Sequence, residues 1–447
     1  MLPAQEERIY ITGKQKLSGS VKIPGSKNAA LPILASILGV KGISTLSNIP
    51  EISDTKGFMN IMKGLGVKIT QNSENSDTTT FDASELTGAG IVKDDYICKM
   101  RASIMFLAPL LARFGEVKMD FPGGCVLGKR SVDTHLMVFE KLGAEIIHAE
   151  NYLHLRLPKG HFEANTIVFP EMSVTATENA IIAAANAKGI TTIRLAAAEP
   201  HVQNLCEFLI STGVEISGIG THNLVIRGAL TEDANPEISG KNTKMISAFG
   251  KVCSDYLQAG TYILAGVLTN SEITVEDVEE EHLDSFLERL EATGAKIEID
   301  RKNKTITTKS LDEKMGEKLT AVNIQTGVFP KFATDLHPQF AVLLSQCEGR
   351  SKIFETLFER KFSYLLEMEK MGADVEIQNP HVFYLTGKTP LQGVPVASQD
   401  IRAGAAMILA GLVANGETEI SNIHYIHRGY EDIVGTLKNL GAIIEQR

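Results

Sequence analysis

Cys125 is the residue whose type and setting most clearly suggest chemistry. It lies in a glycine-rich stretch, residues 121–133, and Lys129 and Arg130 follow it closely. Nearby cations lower the pKa of a thiol and make the thiolate reactive, and mobile glycines suit a lid that closes over a substrate. The stretch therefore indicates a reactive thiol, with an inert loop cysteine as the alternative interpretation.

Lys27 follows Gly25 and Ser26 at the predicted start of a helix. Backbone N–H groups at a helix N-terminus attract anions, and an adjacent lysine adds to that attraction. This segment is therefore a candidate anion site. The alternative is a surface lysine beside a serine that caps the helix.

Asp335 is the single acidic residue at positions 332–336, where its neighbours are apolar or neutral. A lone carboxylate in such a setting suits a general base. The alternative is that Asp335 caps the N-terminus of a helix predicted at residues 339–345.

Basic residues that could form an anion pocket are scattered along the chain. Each one alone is typical of a solvated surface charge. Together they could bind a small anion of two or three charges. The candidates are Lys27, Arg101, Arg130, Arg360, Lys361, Arg402 and Arg428.

An internal repeat predicts the elements that must position these residues. A short phrase containing a glycine occurs six times, and an apolar helix-like run with a strand-like segment precedes each copy. The unit predicts helix, turn, strand, helix, glycine and strand, with the glycine in a left-handed conformation at the helix C-terminus. We expect two similar α/β lobes of three units and a ligand-binding cleft between them. The glycines are Gly66, Gly143, Gly213, Gly294, Gly372 and Gly441.

The composition limits the possible partners. The formal net charge of −10 argues against a nucleic-acid backbone, whose binding depends on clustered lysine and arginine. A small anionic substrate is still compatible, given a local basic pocket. The most apolar stretch, residues 403–414, is too short to cross a bilayer. We expect no nucleic-acid partner and no membrane partner.

The N-terminus and the cysteines favour a cytoplasmic location. Glu6 and Glu7 lie where a signal peptide would carry positive charge. The five cysteines are scattered and form no C-x-x-C pair, so neither a disulfide framework nor a zinc site is indicated. This pattern is typical of a reducing compartment.

Several segments together resemble the UDP-N-acetylglucosamine 1-carboxyvinyltransferases, a group within the enolpyruvyl transferase family. The resemblance extends over essentially the whole chain and implies a two-lobed inside-out α/β barrel with six repeats arranged three plus three. It implies a first lobe at residues 27–253 that carries the Cys125 lid loop. The second lobe would comprise residues 1–26 plus 254–447, completed by the N-terminal strand. The segments are Lys27-Asn28, the Pro-Gly-Gly-Cys loop ending at Arg130, residues 332–335, residues 400–402 and residues 428–431.

The activity that the resemblance implies is transfer of the enolpyruvyl group of phosphoenolpyruvate to the 3-hydroxyl of UDP-N-acetylglucosamine. Phosphate is released, no cofactor or metal is implied, and the reaction is the first committed step of peptidoglycan synthesis. Cys125 would protonate the methylene carbon as general acid, form a covalent adduct and be alkylated by the epoxide fosfomycin. Asp335 would take the proton from the sugar hydroxyl.

The resemblance also implies the substrate contacts. Lys27, Arg130 and Arg428 would hold phosphate, and Lys27 and Arg428 would take part in catalysis. Arg402 would bind the carboxylate, together with Lys361. The residues expected at the nucleotide-sugar site are Asn28, Arg101, Ser131, Val132, Asp133, Thr134, Ser173, Val174, Asp335 and Leu357.

Four positions depart from the pattern of that group. Lys361 stands where an arginine is usual, and a lysine lacks the planar fork that binds a carboxylate with two parallel hydrogen bonds. Glu171, Thr175 and His427 replace a usual lysine, glycine and aspartate. These positions bear on the details of the pocket and on the identity of the acceptor.

Three alternatives are left open. A transferase acting on shikimate 3-phosphate shares the repeats, although Cys125 argues against it because that group uses no catalytic cysteine there. A transferase acting on another nucleotide is suggested by Glu171 and Thr175. A non-catalytic binding paralogue is disfavoured by the presence of Cys125, Asp335 and Arg402.

Overall fold

The computed structural model describes residues 7–72, 77–87, 91–92, 96–123, 132–149, 151–231 and 247–447. Three residues of the predicted site, Cys125, Arg130 and Ser131, lie outside this range. Helices and short runs of strands follow one another along the described residues.

The helices are α1 (Lys27–Ile37), α2 (Ser53–Gly64), α3 (Leu107–Phe114), α4 (Asp133–Lys141), α5 (Val174–Ala185), α6 (Pro200–Ile210), α7 (Tyr256–Leu268), α8 (Asp284–Ala292), α9 (His337–Ser345), α10 (Tyr364–Lys370), α11 (Ile401–Val413) and α12 (Ile433–Asn439). Short 3₁₀ helices cover Ile97–Lys99, Arg101–Phe106, Glu280–Leu283, Glu313–Met315 and Ile423–Arg428.

The strands are β1 (Ile9–Thr12), β2 (Ser18–Lys22), β3 (Ile43–Ser47), β4 (Lys68–Gln71), β5 (Thr78–Asp82), β6 (Ile91–Val92), β7 (Glu116–Asp120), β8 (Glu145–Ile147), β9 (Tyr152–Arg156), β10 (Phe162–Glu163), β11 (Thr166–Val168), β12 (Ala187–Lys188) and β13 (Ile190–Arg194). They continue as β14 (Glu215–Ser217), β15 (Asn223–Arg227), β16 (Ser247–Lys251), β17 (Glu272–Glu276), β18 (Lys296–Asp300), β19 (Thr305–Lys309), β20 (Ile324–Gln325), β21 (Gly349–Phe354), β22 (Asp374–Asn379), β23 (Val382–Gly387), β24 (Pro395–Ala397), β25 (Glu417–Ser421) and β26 (Ile443–Gln446).

The chain forms two compact units, each with its own hydrophobic core. The first unit is Gly25–Cys253, and the second is Ser254–Arg447 together with the N-terminal segment up to Pro24. Strand β1 pairs antiparallel with β25 and β26. The first strand of the chain therefore lies beside its last strand, within the second unit.

One sheet pattern recurs in both units. In β16-β3-β5-β4, the first pair of strands is parallel and the two following pairs are antiparallel. Among the described residues, the same pattern occurs in six four-stranded sheets, and β10 and β12 form a further two-stranded sheet. This recurrence confirms the predicted repeat. The other four-stranded sheets are β6-β7-β9-β8, β11-β13-β15-β14, β2-β17-β19-β18, β20-β21-β23-β22 and β24-β25-β1-β26.

The interior of each unit is helical. In the second unit α7, α9 and α11 pack against one another, and every residue of α9 is buried. A helix that is buried on all sides occupies such a central position. By contrast, α8 buries only Phe286, Leu287 and Leu290, as expected of an outer helix. Central helices behind surrounding sheets confirm the predicted inside-out α/β barrel.

The glycines of the repeat each follow a helix and have φ values between 88 and 100°. Glycine adopts this left-handed backbone at little cost because it has no Cβ. The predicted helix-ending role is therefore confirmed for Gly66, Gly143, Gly213, Gly294, Gly372 and Gly441.

The described part of the chain contains neither a membrane-spanning helix nor a metal-binding cluster. No helix there is long and apolar enough to cross a membrane. No group of three or more histidine, cysteine, aspartate or glutamate side chains there could hold a metal ion.

Candidate active site

Asp335 forms the centre of the candidate site in the second unit. Its Oδ1 accepts a hydrogen bond from Nζ of Lys361 at 2.6 Å, and its Oδ2 accepts one from Nε of Arg402 at 3.2 Å. The Lys361 and Arg402 side chains are 7% and 9% exposed, whereas 32% of the Asp335 side chain is exposed. The carboxylate is therefore partly exposed while two buried cations hold it.

The starts of two central helices position this cluster. Asp335 lies just before α9, whose N-cap residue is Leu336. The Asp335 side chain bonds to Lys361 and Arg402 instead of capping that helix, so the alternative N-cap interpretation is wrong. At the start of α11, Oδ1 of Asp400 accepts hydrogen bonds from the backbone N–H of Arg402 and Ala403 at 2.7 and 2.8 Å. This cap holds Arg402 in the first turn of α11.

The charges of the cluster stabilise one another. Burial alone would raise the pKa of Asp335, but Lys361 and Arg402 outweigh burial and hold that pKa well below its usual range. Burial lowers the pKa of Arg402 and the Asp335 carboxylate raises it, with a net rise. A charged partner at this distance favours the ionised form. Asp335 is therefore an anion at ordinary pH, and a weak base while both cations hold it.

Glu355, which sequence reasoning missed, is linked to the cluster by hydrogen bonds. It is fully buried, and its Oε2 accepts a hydrogen bond from Oγ1 of Thr334 at 2.7 Å. The same Thr334 oxygen accepts one from Nζ of Lys361 at 3.2 Å. On its other oxygen, Glu355 accepts hydrogen bonds from the backbone N–H of Leu357 and Phe358 at 2.8 and 3.1 Å. A buried carboxylate needs donors of this kind to offset its lost hydration.

His337 lies on the far side of Glu355. Its Nε2 is 3.3 Å from Oε2 of Glu355, and its Nδ1 is 3.0 Å from the hydroxyl of Tyr364. Burial lowers the pKa of His337 well below its usual value, and the charge of Lys361 adds to the effect. The imidazole is therefore neutral.

A buried polar network fixes the turn that carries Arg428. The hydroxyl of Tyr430 lies 2.8 Å from Oγ1 of Thr261, and Nε2 of Gln258 donates to the carbonyl of Gly429 at 3.0 Å. Arg428 itself is half-buried at the end of a 3₁₀ helix. Its backbone position is thus set by side chains from α7.

Lys27 is the first residue of α1 in the first unit. Its Nζ donates to Oδ2 of Asp54 at 3.1 Å, and its side chain is 14% exposed. Ser26 occupies the N-cap position without a side-chain capping bond. The alternative of a surface lysine beside a capping serine is therefore wrong, and an anion bound here would compete with Asp54.

Four of the predicted nucleotide-sugar residues lie at the starts of α4 and α5, two helices that pack together: Asp133, Thr134, Ser173 and Val174. Oγ of Ser173 caps α5 by accepting a hydrogen bond from the N–H of Ala176 at 3.4 Å. The ring of His135 contacts α5 through both of its nitrogens. Oγ1 of Thr175 lies 3.2 Å from Nε2 of His135, and Nδ2 of Asn179 lies 2.9 Å from Nδ1 of the same ring. Burial, aided by the charge of Arg101, lowers the pKa of His135 to about 3. The ring is therefore neutral and ties the two helices together.

Two further predicted residues, Arg360 and Leu357, are both exposed, but different contacts hold their backbones. Arg360, the competitor of Lys361, is exposed, has a φ of 56° and donates its backbone N–H to the carbonyl of Pro380. Leu357 is 39% exposed, and Glu355 holds its backbone. The one sequence signal for Glu355 is a charged residue directly after the strand β21.

Solved structures of the same fold define the class. The enolpyruvyl transferase NikO from Streptomyces tendae matches with a TM-score of 0.85 at 23% identity, covering 99% of each chain. EPSP synthase from Acinetobacter baumannii matches with a TM-score of 0.70 at 16% identity, covering 99% of this chain and 100% of that one. The fold is that of the enolpyruvyl transferases.

Sequence comparisons identify the family of the chain and the group within that family. The family model for EPSP synthase (3-phosphoshikimate 1-carboxyvinyltransferase) matches residues 11–437. The UDP-N-acetylglucosamine 1-carboxyvinyltransferase of Sulfurimonas denitrificans is 39% identical over 438 residues, 98% of this chain and 99% of the relative. The protein of the same name from Helicobacter pylori is 38% identical over 434 residues, 97% of each chain. The chain therefore belongs to the enolpyruvyl transferase family and, within it, to the UDP-N-acetylglucosamine 1-carboxyvinyltransferases.

Proposed function

We propose that the chain transfers the enolpyruvyl group of phosphoenolpyruvate to the 3-hydroxyl of UDP-N-acetylglucosamine and releases phosphate. The observation that carries this proposal is the partly exposed Asp335 carboxylate held by Lys361 and Arg402. It combines a candidate base with two cations that suit the carboxylate of phosphoenolpyruvate. The name shared by the similar proteins supports the choice of acceptor.

Addition and elimination make up the proposed reaction. Cys125 donates a proton to the methylene carbon of phosphoenolpyruvate, and the adjacent carbon becomes electrophilic. The sugar hydroxyl attacks that carbon while Asp335 accepts the hydroxyl proton. The tetrahedral intermediate then loses phosphate, and a methyl proton returns to the Cys125 thiolate, which leaves the enol ether. The role of Cys125 rests on its place in the sequence, since it lies outside the described residues.

Substrate binding itself activates the base in this proposal. The carboxylate of phosphoenolpyruvate competes with Asp335 for the hydrogen bonds of Lys361 and Arg402. Because these cations hold the pKa of Asp335 low, drawing them toward substrate raises that pKa. Asp335 thus becomes an effective proton acceptor when the substrate is present, and stays a weak base otherwise.

The leaving phosphate needs positive charge where its own negative charge develops. We assign this role to Lys27, Arg130 and Arg428. Lys27 is paired with Asp54, so phosphate would exchange with that carboxylate. The nucleotide sugar would bind Asn28, Arg101, residues 131–134, Ser173, Val174 and Leu357, with Asp335 at its reacting hydroxyl.

The proposed reaction is the first committed step of peptidoglycan synthesis, carried out in the cytoplasm. Both substrates are small molecules, and the proposed mechanism uses no metal or other cofactor. The similar proteins share a name that fits this step. Nucleic acid and membrane have no part in the mechanism.

Phosphate release tests the proposal. The purified chain is mixed with phosphoenolpyruvate and one acceptor at a time: UDP-N-acetylglucosamine, shikimate 3-phosphate or UMP. We expect rapid release with UDP-N-acetylglucosamine and only background release with the other two. Release that depends on another acceptor would overturn the assignment, and so would release with none of the three.

A further inference from the structure

We propose that Thr334 and Glu355 are positioning residues that hold the Lys361 ammonium in place against Asp335. They would thereby set how the substrate carboxylate binds, and this part of the inference rests on the proposed function. Glu355 is fully buried, so it takes no direct part in the proposed chemistry. Its contacts lead instead to the ammonium of Lys361.

The Thr334 hydroxyl has one orientation in this network. A carboxylate only accepts hydrogen bonds, so Thr334 donates its proton to Oε2 of Glu355, 2.7 Å away. An ammonium only donates, so the Thr334 oxygen accepts from Nζ of Lys361, 3.2 Å away. The hydroxyl therefore links Lys361 to Glu355 in a fixed direction.

Glu355 is also linked to the Lys361 ammonium through Phe358. Oε1 of Glu355 accepts the backbone N–H of Phe358 at 3.1 Å. The Phe358 ring centroid is 5.0 Å from Nζ of Lys361, within the range of a cation–π contact. Glu355 thus anchors both a hydroxyl and a ring that contact the same ammonium.

Lys361 needs this support because of its chemistry. A guanidinium has a planar fork that fixes its own orientation, whereas an ammonium is a point charge on a flexible stem. Here Thr334 and Phe358 restrict that stem, and Asp335 accepts the ammonium at 2.6 Å. The ammonium is then already positioned when a substrate carboxylate replaces Asp335, so it does not have to be reoriented.

Substitution of Thr334 tests the inference with matched controls. Thr334→Val removes the hydroxyl, Thr334→Ser keeps it, and Thr356→Val removes a neighbouring hydroxyl that donates to the carbonyl of Thr326 at 2.9 Å. We expect Thr334→Val to raise KM for phosphoenolpyruvate about tenfold, as for loss of a hydrogen bond to a charged group. KM for the nucleotide sugar should stay the same, and the Ser and Thr356 variants should behave as wild type.

A second measurement reports on the ammonium without turnover. In protein labelled with ¹⁵N at the lysine side chains, the Lys361 signal is assigned through its loss in Lys361→Arg. Thr334→Val should shift this signal, whereas Thr356→Val should leave it unchanged. If the wild type transfers no enolpyruvyl group, the proposed function fails, yet this shift still decides the positioning role.

Two results would overturn the positioning role. One is a Lys361 signal that Thr334→Val leaves unchanged. The other is a rise in KM that is as large in Thr334→Ser as in Thr334→Val, because the serine variant keeps the hydroxyl.

Discussion

Lys361 donates a 2.6 Å hydrogen bond to Oδ1 of Asp335, so the cation expected to bind the substrate carboxylate already holds the protein's own carboxylate. A hydrogen bond between two charged groups at this length is among the strong ones in proteins. A substrate carboxylate must therefore compete with Asp335. This competition links substrate binding to the basicity of Asp335 in the proposed mechanism.

Replacing Asp335 should separate binding from turnover. Asp335→Asn removes the base, and we expect kcat to fall by about 10²- to 10⁴-fold. Because Lys361 and Arg402 lose their competing anion, affinity for phosphoenolpyruvate should rise. Steady-state kinetics and calorimetric binding measure the two effects, with Asp374→Asn on an exposed strand position as the control. Weaker phosphoenolpyruvate binding in Asp335→Asn would contradict the competition.

Removing the charge of Lys361 should impair use of phosphoenolpyruvate. Lys361→Ala loses a charged hydrogen bond worth about 1.5 to 3 kcal/mol, or roughly 10- to 150-fold in kcat/KM for phosphoenolpyruvate. Affinity for the nucleotide sugar should barely change. Arg360→Ala is the matched control, because Arg360 is exposed and directed by a separate backbone contact. A large loss in Arg360→Ala with none in Lys361→Ala would show that the charge is assigned to the wrong residue.

Cys125 should be the cysteine that fosfomycin alkylates. Burial raises the pKa of Cys206 and of Cys347 to about 12, so these two thiols should not react. Cys98 is exposed and is the internal competitor. Cys125→Asp keeps a proton donor that the epoxide cannot alkylate in this way, so it should remain active and become resistant. An adduct located by mass spectrometry on Cys98, Cys206, Cys253 or Cys347 would contradict the assignment.

The buried ring of His135 should make stability depend on pH. Burial holds the pKa of His135 at about 3 in the folded chain, against about 6.5 in the unfolded chain. The unfolded chain therefore binds more protons between these values, and stability is lost as pH falls from about 6.5 toward 3. Between pH 7 and pH 5 the loss should be about 2 kcal/mol.

Denaturant unfolding at both pH values measures this loss, and His135→Gln provides the comparison. The variant lacks the titrating ring, so its unfolding free energy should fall less than that of the wild type. An equal fall in both proteins would contradict the account.

The sequence predicts the repeat well because each helix-ending glycine is a local requirement. Gly66 and Gly441, at opposite ends of the chain, both have the left-handed φ that their position demanded. The start of α9 was predicted at residue 339, but the helix begins at His337. Pro338 lies in the first turn, where its missing N–H costs nothing, so it marks the start of the helix.

The contacts that Thr334 and Glu355 make at the candidate site could not be predicted in the same way. Thr334 and Glu355 are separated in sequence and come together only when α9 packs beside β21. Their types are ordinary, and no local pattern distinguishes a buried glutamate from a solvated one. Asp335 could be singled out as a lone acid, but its two cations could be assigned only through the family resemblance.

The central claim is tested most directly by carbon-13 NMR of the product formed from labelled phosphoenolpyruvate and UDP-N-acetylglucosamine. The account predicts an enol ether whose labelled carbon couples to the proton on carbon 3 of the sugar, with one phosphate released for each product formed. It also predicts that Asp335→Asn forms this product at least about 10²-fold more slowly while still binding phosphoenolpyruvate. A label attached at another position, or unchanged phosphoenolpyruvate after long incubation with the wild type, would contradict the account.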